Sequence, residues 1–300
     1  MGTYLMQTVY QCDNVVCAMF LTSMAANPLI ASFALKTVGV ELTWERWALA
    51  TSVPGILTIL SIPYVMFKLS RPEMTKTPEA RGIAEGELAK MGPMSRGEKI
   101  VGAVFIGCLA LWCTAGVTKI DATVVAMVGV SVMVIPKVIE WKDIVEEKGA
   151  WDTLVWMGSL MTLADGLLRA GFIPWFAKSV SGSIVGMNWI WAMLILILVY
   201  FYAHYAFASM TAQVTAMYVP FLSVAAAAGA PHLLASLSLG FLSQLSGGLT
   251  HYADAGAPIY FGAGYVSQTE WWRNGFIISV VNLLVFVGVG SVWWKIIGLW

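Results

Sequence analysis

The chain has 300 residues, of which 59% are hydrophobic and 11% charged, against about a quarter charged in soluble domains. A mean hydropathy of +0.77 leaves too little polar surface for a water-soluble particle, so the composition indicates an all-α, polytopic membrane protein. The 17 basic and 17 acidic side chains cancel, which excludes a global field that recruits nucleic acid or an anionic surface.

Crossing about 30 Å of hydrocarbon takes about 20 helical residues, so spans are sought in runs free of Asp, Glu, Lys and Arg. The chain opens without a short basic stretch followed by an A-x-A site, and no removable signal peptide is expected. Asn14 to Leu35 and Trp47 to Phe67 are the first two runs. Lys68 to Lys99 then gathers 12 charged residues, with Lys68, Arg71, Lys76, Arg81, Lys90, Arg96 and Lys99 as its basic part. The positive-inside rule puts this segment in the cytoplasm, and its Gly, Pro and charge content is too high to bury a core. Ile100 to Thr118 and Ala122 to Pro136 follow, and Lys137, Lys142 and Lys148 form the next basic loop on the same side. Between Lys178 and Glu270 lie 91 residues whose only charge is Asp254, room for two or more spans plus half-helices. Asn274 to Trp294 is the last run.

Trp141, Trp151, Trp156, Trp189, Trp191, Trp271, Trp272, Trp293 and Trp294 cluster near span ends and read as lipid anchors. Cys12, Cys17, Cys108 and Cys113 match neither a zinc knuckle nor a redox pair and read as small core hydrophobes.

A membrane segment must satisfy its own backbone, so Gly, Pro and small polar residues inside an apolar run mark broken helices and cavities. There are three such places: Leu21 to Leu29 (LTSMAANPL), His204 to Thr215 (HYAFASMTAQVT) and Ser243 to Gly264 (SQLSGGLTHYADAGAPIYFGAG). His204, His232, His251 and Asp254 all lie in the charge-poor stretch. An ionisable group at membrane depth costs at least about 2.5–3.5 kcal/mol, so its default role is functional or cavity-facing. His204 and His251, each beside a breaker motif, are read that way, whereas His232, directly after Pro231, is read as a helix cap or interface residue. Hydroxyls and free N–H groups at half-helix N-termini bind carboxylates, and freed carbonyls hold cations. Ser209-Met210-Thr211 suits the turn of a re-entrant helix pair; the alternative is two ordinary spans joined by a water-exposed loop.

The strings MFLTSMAANPLI, WKDI with AWDTLVWMGSLMTLADGLLRAGFIPWFA, FYAHYAFASMTAQVTAMYVP and LTHYADAGAPIYFGAGYV, in this order, resemble the divalent anion:sodium symporter family. The likeness extends along the whole chain and is strongest to the branch of 2-oxoglutarate/malate translocators and citrate/succinate or tartrate/succinate antiporters. It implies an inverted-repeat elevator transporter that dimerises and binds a dicarboxylate where hairpin tips bearing Ser-Asn-Thr meet broken helices. On this resemblance Ser209, Met210 and Thr211 occupy the second hairpin tip, Thr250 to Pro258 the last break, and Thr22 to Pro28 the break of the first repeat. The chain then begins inside the first repeat, without the first hairpin. Met210 stands where the motif has Asn, with His204 as the basic substitute for the coupling cation, and Asp254 stands where relatives carry Thr.

The expected organisation is residues 1–67 as the remainder of the first repeat, with a broken helix over 3–39 and a span over 47–67. A cytoplasmic loop follows over 68–99, then the second repeat over 100–300, with its hairpin near 189–228 and its broken helix near 231–265. The expected function is exchange of di- or tricarboxylates such as 2-oxoglutarate, malate, succinate, citrate or tartrate across a cell membrane, the inner membrane in a bacterium, with no enzymatic step. Asn27, Ser209, Thr211, Thr250, Gly256 and Pro258 would bind substrate; His204, His251 and Asp254 would serve coupling, Asp254 paired with a neighbouring histidine. No cofactor or metal is expected beyond sodium or a proton as coupling ion. The expected partners are small carboxylate anions, lipid and a second copy of the chain. Alternatives are a split transporter that needs an N-terminal partner fragment, and an intramembrane metal hydrolase using the three histidines, although HExxH is absent.

Overall fold

A computed structural model describes residues 1–72, 79–148 and 188–300, with isolated positions between 150 and 175. Lys76, Trp156 and most of the string from Ala150 to Ala177 lie outside the described residues. The described residues form helices and turns only, and four helices are long and apolar enough to cross a membrane. Two compact units emerge: residues 1–71 with 154–300, and residues 72–153.

The second unit contains α4 (Ala80–Met91), α5 (Arg96–Cys113), the single turn α6 (Ala115–Thr118), α7 (Ala122–Val134) and α8 (Trp141–Glu146). The segment expected as a plain loop therefore carries a helix. No residue of α4 is buried, and Arg81–Glu85 and Lys90–Glu87 pair along its surface at 2.7 and 2.6 Å. Such exposed pairs are worth about 0.5 kcal/mol or less. Helix α5 opens on a capping box: Ser95 Oγ accepts from Glu98 N, and Glu98 Oε2 accepts from Ser95 N at 2.6 Å. That bond from the Ser95 backbone holds the Glu98 carboxyl below its ordinary range. Asp121 caps α7 by accepting from Thr123 N at 2.8 Å, with the same effect on its carboxyl. Cys108 packs partly buried, but Cys113 is exposed, which corrects its reading as a core residue.

The first unit holds the candidate spans α3 (Trp44–Leu69), α9 (Trp189–Tyr202, which with its continuation to Ala206 is long enough), α10 (Met210–Ala227) and α13 (Gln268–Ile296), together with α1 (Gly2–Met19), α2 (Ala26–Val38), α11 (His232–Leu245) and the short α12 (Ala257–Gly262). The last span starts earlier than the charge-free run, because Ser267 caps it and Glu270 sits in its first turn. Helix α9 continues through a 3-10 turn over Ala203–Ala206, and α10 widens to a π turn over Val214–Tyr218.

Helix α11 is the centre of this unit. Every residue from Leu234 to Thr250 is buried, including the polar Ser236, Ser238, Ser243 and Gln244. Trp47 closes one side, donating Nε1 to Ala18 O at 2.8 Å and meeting Phe241 edge-on. Trp294 closes another and donates to Ala50 O at 2.8 Å. Trp271 is fully buried against Tyr10 and Phe261. Trp271 and Trp294 are thus core residues rather than lipid anchors, while Trp141 and Trp191 are exposed.

Candidate functional site

Two interrupted helices flank the end of α11. Helix α1 ends at Phe20, whose backbone turns extended, and α2 starts at Ala26. The carbonyls freed at this break are claimed locally. Ser23 Oγ lies 2.8 Å from Cys17 O and 2.7 Å from Phe20 O, and Asn27 Nδ2 donates to the same two carbonyls at 2.8 and 2.9 Å. Asn27 Oδ1 accepts from Gln244 Nε2 at 2.7 Å. Both amide hydrogens of this fully buried side chain are committed to backbone, so no donor remains for an anion. Asn27, expected from sequence as a substrate ligand, here ties the two breaks together.

The second break runs from Ser246 to Gly256. Its first carbonyls are satisfied from α1: Tyr10 Oη donates to Gly247 O and Gln11 Nε2 to Gly248 O, both at 2.8 Å. A Cβ on Gly247 would meet Asn14 Oδ1, and one on Gly248 the Gln11 amide, so a side chain at either glycine would displace these polar ends from the break. Gln7, Gln11 and Asn14, at helical spacings of four and three, form one buried polar stripe along α1. Gln7 Oε1 accepts from Asn274 Nδ2 at 2.6 Å, which anchors the lower end of the stripe to α13.

The turn between α9 and α10 closes the site. Ser209 caps α10, accepting from Ala212 N at 3.4 Å, and Thr211 lies half-buried on its first turn. Met210 is buried and packs on Gly247, which brings this turn against the second break. Gln213, one turn further, is fully buried and joins Tyr200, His204 and Ser246. Thr250 is fully buried, and its hydroxyl has no hydrogen-bond partner; the same holds for Asn14 Oδ1, Gln11 Oε1 and His204 Nε2. Unmatched buried polar atoms of this kind cost about 1–3 kcal/mol each when nothing binds them, so their concentration around one break marks a place for a polar ligand.

The other sequence-derived residues make contacts of their own beside this cluster. Asp254 accepts from Ala257 N at 2.7 Å and caps α12, with Gly256 and Pro258 in the turn it holds. No ion pair joins Asp254 to a histidine among the described residues. His251 instead accepts from Trp272 Nε1 at 3.1 Å and lies tilted against Phe261; of the two histidines that could neighbour Asp254, His204 is the one on which it acts electrostatically. His232 is exposed at the start of α11 and its carbonyl receives Ser236 Oγ. The three histidines do not converge, and no group of three or more His, Cys, Asp or Glu side chains suited to a metal forms among the described residues. Asp13, absent from the expected set, and Asp254 both act electrostatically on Tyr10, Cys17 and Tyr260, so two carboxylates border the break.

Tyr10, Gln11, Gln213, Gln244 and Ser246 were not among the expected site residues. The stripe of amides on α1 was a usable signal, whereas the others acquire their meaning only from partners distant in sequence.

The family described as the sodium:sulfate symporter transmembrane region matches residues 1–300. YflS of Bacillus subtilis, provisionally named a malate transporter, is 47% identical over 299 residues, covering 100% of this chain and 63% of the relative. Dicarboxylate transporter 1 of spinach chloroplasts is 43% identical over 302 residues, covering 100% of this chain and 53% of the relative. An inner membrane protein of Escherichia coli, YbhI, is 32% identical over 301 residues, again across 100% of this chain and 63% of its own length. The chain spans about half to two thirds of the length of these relatives.

Proposed function

Because the chain belongs to the sodium:sulfate symporter family of membrane transporters, we propose that it forms part or all of a secondary carrier that exchanges di- or tricarboxylates such as malate, 2-oxoglutarate, succinate, citrate or tartrate. The observation that carries this reading is the contact between the Ser209–Thr211 turn and the Ser246–Gly248 break, where the Thr250 hydroxyl is buried without a partner. Hydroxyls of Ser209, Thr211 and Thr250 then donate to carboxylate oxygens, assisted by the free N–H groups that open α10. The α9–α10 pair acts as a re-entrant hairpin, and α1–α2 with α11–α12 act as the broken helices of two inverted repeats. The names of the malate and dicarboxylate transporters among the relatives support the substrate class.

A dianion beside Asp13 and Asp254 is repelled unless positive charge accompanies it. Sodium or a proton serves as that coupling ion, and His204 is the residue in the cluster that can carry the proton. The carrier works as a homodimer in the cell membrane, the inner membrane in a bacterium.

Counterflow of labelled succinate, malate and 2-oxoglutarate in proteoliposomes tests the reading. Saturable exchange of a dicarboxylate by the chain supports it, and exchange that requires an added N-terminal fragment identifies the chain as one part of a carrier. Failure to exchange any of the three in either arrangement overturns it.

A further inference from the structure

One buried side chain joins the hairpin to the break, and its orientation follows from its partners alone. Gln213 places Nε2 2.6 Å from Tyr200 O. A backbone carbonyl only accepts, so this end is the NH2 group and the opposite end is Oε1. Oε1 lies 2.8 Å from His204 Nδ1 and 3.3 Å from Ser246 Oγ, whose proton it shares with Ser243 O at 2.8 Å. An acceptor at 2.8 Å requires a hydrogen on Nδ1. The neutral ring is therefore the Nδ1–H tautomer, with its lone pair on Nε2. His204 is fully buried, and Nε2 has no hydrogen-bond partner.

We propose that Gln213 is a positioning residue that ties the re-entrant hairpin to the α11–α12 break and holds His204 in the Nδ1–H tautomer, which makes its contact with an anion conditional on protonation. A carboxylate only accepts hydrogen bonds. Neutral His204 with a bare Nε2 offers it nothing, whereas the imidazolium brings a positive charge and an Nε2–H, for which the anion competes with the Ala253 backbone. With the opposite tautomer the neutral ring would donate without any proton being taken up. The inference rests on the reading that a carboxylate binds at this junction.

The charged group acting on the His204 ring among the described residues is Asp254 on the break, alongside the Ala253 backbone. The titratable neighbours are Tyr200 on α9, Tyr205 on the same 3-10 turn, and Tyr252 on the break, whose Oη donates to Tyr205 O at 2.9 Å. Helices α10 and α11 contribute Gln213, Ser243 and Ser246, none of which titrates. Proton uptake at this junction is therefore assigned to His204.

The test combines a spectroscopic readout with transport on the whole chain in liposomes. In 15N-histidine solid-state NMR, with the His204 signals identified by their loss in His204→Gln, neutral His204 is expected to show a protonated Nδ1 and a bare Nε2. Gln213→Met, similar in volume but without the amide, is expected to mix or reverse the tautomers, to reduce exchange about tenfold and to flatten its pH dependence. Gln213→Glu keeps an acceptor and is expected to restore the Nδ1–H tautomer. A protonated Nε2 in the neutral wild-type ring overturns the inference, as does a Gln213→Met protein whose tautomer and pH profile match wild type. The NMR result decides the tautomer whether or not exchange is seen, so absence of wild-type exchange at every pH counts against the carboxylate reading and is distinguishable from a failure of the positioning role.

Discussion

Gln244 Nε2 donates to Asn27 Oδ1 at 2.7 Å across 217 residues of sequence. One residue sits on the last turn of α11, directly before the second break, and the other on the first turn of α2, directly after the first break. Asn27 also holds the two carbonyls that α1 leaves free, so this pair fixes the spacing of both interruptions. Interhelical hydrogen bonds within membranes average about 0.6 kcal/mol, with a maximum of about 1.7. Gln244→Leu breaks one such bond and is expected to cost within that range. Asn27→Leu breaks three contacts and leaves the Cys17 and Phe20 carbonyls to Ser23 alone, so its cost should be larger, about 1–3 kcal/mol. Thermal unfolding in detergent orders the two; equal destabilisation would mean that the carbonyls find other donors.

Helix α13 approaches the break as closely as its side chains allow. A Cβ on Gly275 would stand 2.5 Å from Gly248 O and 2.9 Å from Leu249 O, both backbone atoms with little freedom to move. Gly275→Ala should therefore destabilise by about 1–3 kcal/mol, as overpacked cores do, and should displace the break. Gly288, with nothing within 4 Å, is the control on the same helix. The outcome that counts against this packing is an equal melting temperature for the two alanine variants.

Asp254 caps α12 through Ala257 N. Asp254→Ala should cost about 0.5–2 kcal/mol, while Asp254→Thr or Asp254→Asn retains an acceptor and should cost a few tenths. Amide exchange at Ala257 reads the cap directly. If all three variants protect this amide equally, the cap contributes nothing.

The capping carboxylates of the other unit give a pH signature. Glu98 and Asp121 are both held below the ordinary carboxylate range of about 4 by backbone donors. A lowered folded-state pKa means that the stabilisation is present above the unfolded value and is lost as pH falls through the folded one. The first turns of α5 and α7 are expected to fray below about pH 4, and Glu98→Ala or Asp121→Ala should fray them at pH 7 without further change on acidification. Amide exchange at Glu98 and Thr123 between pH 7 and pH 3 measures this, and a wild-type profile flat over that range would contradict it.

Much of the architecture was legible in the sequence because backbone that cannot hydrogen-bond to lipid leaves a compositional trace. Asn27-Pro28, the Gly247-Gly248 pair and Pro258 stand at or beside the helix interruptions, and Ser209 at the turn before α10. Roles that depend on distant partners were not legible. Asn27 has the polarity of a ligand, yet the carbonyls of Cys17 and Phe20 and the amide of Gln244 use it up. Asp254 was unusual by isolation, and its partner is the local Ala257 amide rather than a histidine. Trp271 and Trp294 have the same spacing from span ends as lipid anchors have, and only packing against Tyr10, Phe261 and Ala50 distinguishes them. Gln213 lay inside a motif already singled out, but its bonds to Tyr200 and Ser246 lie 13 and 33 residues away.

The most direct test of the account is dicarboxylate counterflow by Ser209→Ala, Thr211→Val and Thr250→Val, each compared with wild type in protein amount and melting temperature. Each removes one hydroxyl donor to a buried anion, a loss of about 1.5–3 kcal/mol or roughly ten- to a hundredfold in apparent affinity. The account predicts that loss in substrate half-saturation with melting temperature unchanged or raised for Thr250→Val, whose hydroxyl makes no hydrogen bond within the protein. Wild-type half-saturation in all three variants would contradict the placement of the anion between the hairpin and the break.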